Sequence, residues 1–368
     1  MKKKQLYGQF MTTNYDYILQ NININKIINK KITIIEPFCG DGDLLKFLKK
    51  DIKKYKNIEC YDYDIEKIDI INNNFKDYKN INILQRDTLN NPPDYQNKFL
   101  ITNPPYLARN KCAYKELFDK YKINDLYKCL IKEILINSPI GGILILPLNF
   151  WSSIRKNDIE LRKQFLTKFK VLQLNIFEEQ VFVDTTYTIC SFIFIIKDDI
   201  IKDDIIKIDI YPTKKKLNIK LDDENNYMIG GEIYNLKINN TYNITRITSK
   251  NIDKKNTNIL VKCIDDNLAN RINISIVNDE EIYIDNTPKQ SARTYASLII
   301  EPSIDINIQK KLVDAFNTYL EKKREEYVSL FLTNYRESKD NNARKRISFD
   351  LVYKILHYLL SYEIMIKP

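Results

Sequence analysis

The sequence predicts an α/β fold with a doubly wound, mostly parallel sheet, followed by a smaller α+β domain. Three observations predict it. Short apolar runs alternate with helical patterns over roughly the first 200 residues, as in βαβ units. Acidic or amide residues follow four of these runs, at positions 36, 62, 87 and 103. The chain of 368 residues is also long enough for two domains of ordinary size.

Each apolar run predicts one strand. The predicted strands are 31–35, 58–61, 81–84, 99–102, 143–146 and 191–194. Gly141 and Gly142 are interpreted as a helix C-cap ahead of the fifth strand.

The five residues Lys197-Asp198-Asp199-Ile200-Ile201 are repeated directly afterwards, at 202–206. This low-complexity repeat follows the last predicted strand of the catalytic fold and therefore predicts the domain boundary. We therefore expect a catalytic domain at 1–200 and a second domain at 201–368. In the second domain, helical patterns cover 308–332 and 349–360.

The segment Asn103-Pro104-Pro105-Tyr106 directly follows the fourth apolar run. It suits an exocyclic amino group on a base, which is a poor nucleophile until acceptors hold its hydrogens. The Asn103 side-chain oxygen supplies one acceptor, and the carbonyl of Pro104, aimed by its fixed φ, supplies the other. Tyr106 offers a flat face for the base. A polyproline turn that merely closes a strand is the alternative for so short a motif.

The turn after the first strand carries the acidic residues Glu36, Asp41 and Asp43 together with two glycines. A dinucleotide site would need G-x-G-x-x-G, so that a pyrophosphate meets the helix N-terminus. The three carboxylates would repel phosphate. They favour a ligand with an amino group and a positive sulfonium, and S-adenosylmethionine is such a ligand.

Two further acids lie where a nucleoside would bind. Asp62 stands twenty residues beyond Gly42 (62 − 42), where α/β units place the carboxylate that takes the ribose hydroxyls. Asp87 follows the third strand and is a candidate acceptor for an adenine amino group. A solvated loop charge is the alternative for each acid alone, but all these strand ends should share one sheet edge.

The order of these segments resembles the γ-class DNA adenine-N6 methyltransferases of restriction–modification systems and some viruses. The resemblance covers roughly residues 7–197 and begins with Tyr7-Gly8-Gln9-Phe10-Met11-Thr12-Thr13. It implies S-adenosyl-L-methionine as the cofactor, double-stranded DNA as the partner and, as one option, a cognate restriction endonuclease. The implied reaction is methyl transfer to N6 of an adenine flipped out of the duplex.

The resemblance also assigns cofactor contacts by position. Thr12 would contact the methionine carboxylate, Glu36 its amino group, Asp62 the ribose and Asp87 the adenine. The complete set of implied cofactor residues is Thr12, Glu36, Phe38, Gly40, Asp62, Tyr63, Asp87 and Asn103.

The implied catalytic residues are Asn103, Pro104 and Tyr106, with Phe194 stacking on the other side of the base. Ordinary core packing is equally open for Phe194, because alternating aromatic residues on a strand are usually buried. Phe192 is the second choice.

Predicted DNA contacts lie in segments where basic residues mix with Tyr and Asn, which together can meet phosphates and base edges. A solvated loop is the alternative for each segment. The predicted contacts are Arg109, Lys111, Arg293, Tyr335, Arg336, Lys339, Arg344 and Arg346.

Composition narrows the function class. The net charge of +10 and a sequence pI near 9.0 suit a polyanionic partner, although coding bias toward Lys, Ile and Asn is an alternative. The single histidine, His357, largely excludes histidine-based acid–base or triad chemistry, and the six cysteines show no C-x-x-C spacing. We therefore expect no metal, reduced thiols and, without a signal peptide or long apolar segment, a cytoplasmic protein with no membrane partner.

Two rival hypotheses remain open. One is methylation of another planar nitrogen, either that of adenine in RNA or that of the glutamine side-chain amide in a protein. The same tetrapeptide is used for glutamine methylation in the methyltransferases that modify release factors. The other is a non-enzymatic DNA-binding protein with a vestigial cofactor pocket.

Overall fold

The chain forms two compact units. The computed structural model describes residues 12–28, 31–182, 187–198, 204–239, 241–267, 270–286, 294–334 and 344–364. The first unit contains the described residues up to Phe150 and those of Arg155–Leu221. The second contains Trp151–Ile154 and the described residues from Asp222 onward.

The first unit is built on a nine-stranded sheet. Its strands are β1 (Thr33–Glu36), β2 (Asn57–Asp62), β3 (Ile81–Gln85), β4 (Lys98–Thr102), β5 (Gly141–Pro147), β6 (Phe169–Phe177), β7 (Ile189–Ile196), β8 (Ile205–Tyr211) and β9 (Lys215–Lys220). Its helices are α1 (Tyr15–Ile18), α2 (Asp43–Leu48), α3 (Ile65–Phe75), α4 (Glu116–Tyr121), α5 (Leu126–Ile136) and α7 (Lys156–Lys168). The short helix α6 (Asn149–Ser152) begins in the first unit, and its last two residues belong to the second.

The strand order across the sheet is β3-β2-β1-β4-β5-β7-β6-β8-β9. The first five strands in this order pair in parallel. β7 runs antiparallel to both of its neighbours, β8 pairs in parallel with β6, and β9 closes a hairpin with β8. The predicted doubly wound, mostly parallel fold is therefore confirmed.

The centre of the sheet explains the paired glycines. All seven residues of β5 are buried, as expected for a strand covered on both faces. Gly141 and Gly142 belong to this strand, and the preceding helix ends at Ile136, so the predicted helix C-cap is wrong. A Cβ on Gly142 would lie 2.6 Å from the carbonyl oxygen of Leu100 on β4. The glycine therefore permits close approach of neighbouring strands.

The sheet also extends further along the chain than predicted. β8 begins inside the second copy of the repeat, and its side chains at Ile206, Ile208 and Ile210 are buried while Lys207 is exposed. This alternation with a period of two marks a strand. Because β8 and β9 join the first sheet, that unit ends at Leu221 and not at residue 200.

The second unit contains a separate antiparallel sheet of order β10-β13-β11-β12 with its own hydrophobic core. Its elements are β10 (Asn243–Arg246), β11 (Ile259–Lys262), β12 (Asn273–Ile276), β13 (Tyr295–Glu301), α8 (Ile306–Tyr327), β14 (Thr333–Asn334), β15 (Lys345–Arg346) and α9 (Phe349–Leu359). α8 stops short of the predicted residue 332 because Val328 and Ser329 adopt positive φ angles of 53° and 60°. No helix among the described residues is both long and apolar enough to span a membrane.

Candidate functional site

The polar residues that follow the parallel strands lie at one edge of the sheet. Glu36 ends β1, Asp62 ends β2, and Asn103 comes directly after β4. The parallel registers align these strands, since Ile34 pairs with both Ile58 and Phe99. Open α/β sheets bind ligands outside this carboxyl edge.

The turn between β1 and α2 depends on two glycines with left-handed backbone. Gly40 has a φ of 52° and Gly42 a φ of 77°, which L residues with a side chain rarely adopt. A Cβ on Gly40 would meet no atom within 4 Å, so this part of the turn borders open space. That space is a small cleft, open to solvent, with a cavity volume of about 30 Å³. It is lined by Thr12, Phe38, Cys39, Gly40, Asp41, Asp43, Leu44 and Asn103.

Glu36 is a buried carboxyl group that lacks a full set of partners. Its side chain is only 1% exposed, and Oε1 accepts a long hydrogen bond of 3.4 Å from the backbone N–H of Phe38. Oε2 makes no hydrogen bond of ordinary geometry among the described residues, and the only hydroxyl group that acts on this carboxyl is that of the buried Thr102. Burial raises the pKa of Glu36 to about 8. A cationic ligand would supply both the missing hydrogen bond and the charge that favours ionisation.

Asp62 is held in place by the backbone around it. Its two oxygens accept hydrogen bonds from the N–H of Gly40 at 2.8 Å and of Asp64 at 2.9 Å. Burial nevertheless raises the pKa of Asp62. Tyr63 follows directly and is 62% exposed, so its ring is accessible to a planar ligand.

Asp87 caps its own turn. Its carboxylate accepts hydrogen bonds from the backbone N–H groups of Leu89 and Asn90 and from the Asn90 side chain. It lies just after β3, at the same edge of the sheet as Glu36 and Asp62.

The side chain of Asn103 connects the cleft to the Asn-Pro-Pro-Tyr turn. Its Nδ2 donates to Thr12 Oγ1 at 3.0 Å, and its Oδ1 accepts from the hydroxyl of Tyr106. The same hydroxyl lies 2.7 Å from the carbonyl oxygen of Ile145 on β5. A phenol has one proton and can donate to only one of these oxygens at a time. Donation to Ile145 would let Asn103 Oδ1 accept a different donor.

Tyr106 is enclosed by other tyrosines. It is 2% exposed, and its ring meets Tyr127 edge-on at 6.2 Å and Tyr187 edge-on at 5.9 Å between centroids. Tyr187 was not predicted. It precedes β7, whose first residue, Ile189, pairs with Pro147 at the carboxyl end of β5. The start of β7, and not its end, therefore reaches the edge that carries the site.

Phe194 lies elsewhere, and the prediction for it is wrong. It pairs with Gly142 near the amino end of β5, at the opposite end of the sheet from Asn103. It is completely buried and packs against Phe165 and Phe169 at 5.2 and 4.9 Å between ring centroids. The second choice, Phe192, is equally buried and stacks on Phe150 within the core.

The predicted DNA contacts have different environments. Arg109 forms an exposed ion pair with Asp119 at 2.8 Å, and Lys111, in the same loop, is exposed. Arg344 donates two hydrogen bonds to Asp265, at 2.7 and 3.1 Å, so it already stabilises the second unit. Arg346 is half-buried in β15. Four predicted contacts lie outside the described residues: Arg293, Tyr335, Arg336 and Lys339.

The described part of the chain contains no cluster of three or more His, Cys, Asp or Glu residues that could hold a metal ion. All six cysteines are free thiols. Burial raises the pKa of Cys39 and of Cys60 well above the usual value, so both thiols stay protonated beside Glu36.

No family model matches the chain, but individual proteins do. An alignment of 188 positions, which covers 46% of this chain and 34% of the relative, shows 33% identity with the Type II methyltransferase M.AccI of Acinetobacter calcoaceticus. An alignment of 126 positions, which covers 32% of this chain and 45% of the relative, shows 36% identity with the ribosomal RNA small subunit methyltransferase A of Mesomycoplasma hyopneumoniae strain J.

A solved structure is also similar. The modification subunit of a putative type I restriction enzyme from Vibrio vulnificus YJ016 matches 57% of this chain and 49% of its own, with a TM-score of 0.43 and 13% identity. The chain spans about a third to a half of the length of the curated relatives it matches. Both of these curated relatives are methyltransferases.

Proposed function

We propose that this chain is a DNA methyltransferase that transfers a methyl group to N6 of an adenine flipped out of duplex DNA. The observation that carries the proposal is the position of the Asn103 side chain. It is hydrogen-bonded to Thr12 beside the cleft and to Tyr106 in the Asn-Pro-Pro-Tyr turn. One amide thus borders both the cofactor cleft and the aromatic residue against which a base would stack.

Residues that line the cleft, together with polar residues at the same edge of the sheet, fit S-adenosylmethionine, which supplies an electrophilic methyl group when bound. Glu36 Oε2, which is buried without a described partner, would accept a hydrogen bond from the ammonium group. Asp62 would accept from the ribose hydroxyls, and the exposed ring of Tyr63 would stack on the adenine. Thr12 and Asp87 complete the proposed contacts.

The chain would activate the target amino group by holding its two hydrogens. Asn103 Oδ1 accepts one when the Tyr106 hydroxyl donates to Ile145 instead, and the carbonyl of Pro104 accepts the other. No strong base is required, because the nitrogen becomes acidic only after methylation. Positioning of the reacting groups then supplies most of the rate.

Tyr106 and Tyr187 would form the two faces that enclose the flipped base. The two rings meet edge-on without a base between them, so Tyr187 would have to turn aside as the base enters. Flipping costs a few kcal/mol, and stacking on an aromatic ring returns about 1–3 kcal/mol per base. The first unit would carry out methyl transfer, and the second would recognise the target sequence, with a cognate restriction endonuclease as a further partner.

Methylation of adenine in RNA is the second candidate function. It is favoured by the 36% identity with a ribosomal RNA methyltransferase. DNA is preferred because the match to the Type II methyltransferase covers more of this chain, 46% against 32%.

A substrate panel tests the proposal. Purified protein would be incubated with S-adenosylmethionine labelled in the methyl group and with duplex DNA, single-stranded RNA or bulk protein. We expect label in duplex DNA, and far less of it with the Asn103→Ala variant. Label found only in RNA or only in protein would exclude DNA as the substrate. If calorimetry detects no binding of S-adenosylmethionine, the proposed methyltransferase activity is excluded.

A further inference from the structure

Three consecutive lysines lie where the turn after β8 leads into β9: Lys214 in the turn, and Lys215 and Lys216 at the start of β9. We call these three residues the lysine turn. All three residues are exposed. Lys216 pairs with Asp209 at 3.3 Å while remaining 75% exposed. Lys214 and Lys215 form no ion pair with any residue that the structure describes. The cofactor and base contacts proposed above use none of these lysines.

Strand registers place the lysine turn at the same edge of the sheet as Asn103. Pro147 at the end of β5 pairs with Ile189, Ile189 pairs with Phe177, and Phe177 pairs with Tyr211 at the end of β8. The chain then turns at Lys214, whose φ of 58° reverses its direction into β9. The lysine turn therefore projects from the carboxyl edge, where the target base would enter.

The lysine turn and the end of β4 are close enough along this edge for one DNA duplex to reach both. Five strand spacings separate β4 from β9, and at about 4.8 Å each they amount to about 24 Å. With a rise of about 3.4 Å per base pair, the lysine turn would lie about 7 base pairs from the target base. That separation lets both features contact one DNA molecule.

The neighbouring charges leave the lysine turn positive. Glu178 and Glu179 follow β6 at the same edge, but both are half-buried, and Glu179 accepts a hydrogen bond from the hydroxyl of Tyr17. Asp209, which pairs with Lys216, is only 7% exposed. The accessible charge at this position is thus that of the lysines, and it complements the phosphate backbone.

We propose that the lysine turn binds phosphates of the substrate duplex on one side of the target base. This inference rests on the proposed DNA substrate and adds a contact made by the catalytic unit itself, outside the predicted recognition segments. Phosphate contacts of this kind position the duplex without reading its sequence. Lysines also protect a free strand edge such as that of β9 from pairing with other chains, and this role would leave DNA affinity unchanged.

The experiment compares two variants that each remove two positive charges from the same hairpin. The test variant is K214Q/K215Q. The control is K207Q/K220Q, because Lys207 and Lys220 are exposed and lie toward the other end of the hairpin, where Lys220 pairs with Ile205. The probe is a fluorescent duplex of random sequence, about 30 base pairs long, titrated between about 50 and 200 mM KCl.

We expect the test variant to bind the duplex roughly tenfold more weakly at the low-salt end, and the slope of log K against log salt to become shallower by about 2. The control should retain the wild-type slope, and both variants should retain cofactor affinity by calorimetry. Equal affinities and slopes for the two variants would overturn the inference while leaving the DNA substrate intact. Failure of the wild-type protein to bind any duplex would instead overturn the DNA substrate, and the inference with it.

Discussion

At the scale of single residues, the site depends on side chains whose hydrogen bonds are incomplete or can be exchanged. Asn103 accepts from a tyrosine hydroxyl that has a second acceptor within reach, the carbonyl of Ile145. Glu36 keeps one buried oxygen without a described partner. Buried groups of this kind are costly in the free protein, and a ligand that completes their bonds recovers that cost.

Replacement of Asn103 by Ala should strongly lower turnover and spare cofactor binding. The variant loses one of two acceptors for the target amino group, and removal of such a preorganised partner typically lowers kcat by about 10²–10³-fold. Single-turnover methyl transfer measures the loss, and calorimetry should show a cofactor Kd within a few-fold of wild type. Near-normal kcat would mean that Asn103 does not hold the amino group.

Glu36 should make cofactor affinity depend on pH. Its pKa of about 8 in the free protein means that it carries a proton at pH 6 and must lose it to pair with an ammonium group. Affinity should therefore rise with pH between 6 and 8, by up to about tenfold per pH unit. Calorimetry in two buffers of different ionisation enthalpy would detect the released proton, and Glu36→Gln should remove both effects.

The same carboxyl group should affect the stability of the free protein in the opposite sense. Since the pKa of Glu36 is raised from 4.5 to about 8 on folding, unfolding releases a proton between these values. The contribution of Glu36 to the free energy of unfolding is fully present below pH 4.5 and is lost as the pH rises through 8. Glu36→Gln should accordingly raise the Tm relative to wild type at pH 8, and the difference should shrink toward pH 5. A constant difference would contradict this explanation.

Tyr187 and Phe194 should respond differently to truncation. Tyr187→Ala removes the proposed second stacking face, so it should raise the KM for DNA and leave the Tm nearly unchanged. Phe194→Ala empties a core position and should lower stability by about 3–5 kcal/mol without a specific effect on DNA binding. Steady-state kinetics and thermal unfolding separate the two, and a reversed pattern would restore Phe194 as the stacking residue.

At the scale of secondary-structure elements, the close contact between β4 and β5 controls the geometry of the site, because Asn103 follows β4. Gly142 faces Leu100 so closely that a Cβ would lie 2.9 Å from the Leu100 Cβ. Overpacking of this kind costs about 1–3 kcal/mol. Gly142→Ala should thus lower the Tm, whereas Ile136→Ala at the 72% exposed end of α5 should change it little. Equal effects would argue against close strand packing.

The parallel half of the sheet could be predicted because its strands are short apolar runs that end in polar residues. Their order along the chain then placed Glu36, Asp62 and Asn103 at one edge. The antiparallel half was harder. β6 mixes polar and apolar residues and contains a register shift between Val171 and Gln173, so its periodicity is broken.

The error at Phe194 follows from strand direction. Counting along the chain located β7, but only its pairing shows that it runs antiparallel to β5 and that its first residues reach the site. Tyr187 was missed for this reason. Similarly, Arg344 lies in a segment whose basic composition predicts DNA contact, and only the structure shows that Arg344 donates two hydrogen bonds to Asp265.

At the scale of the whole molecule, a net charge of +10 accompanies two separately packed units. The first contains every described residue of the proposed catalytic and cofactor sites. The second has its own sheet and core, and its role in target recognition is part of the proposal. If the second unit recognises the target sequence and the first carries out methyl transfer, the first unit can bind any flipped adenine in the same way.

Identification of the methylated nucleoside tests the central claim most directly. Unmodified duplex DNA would be incubated with the protein and S-adenosylmethionine, digested to nucleosides and analysed by mass spectrometry. If Asn103 and the Pro104 carbonyl hold the exocyclic adenine nitrogen, the wild-type protein forms N6-methyladenine and Asn103→Ala forms it at least about a hundredfold more slowly. A methyl group on a ring carbon, or N6-methyladenine formed equally well by Asn103→Ala, would contradict it.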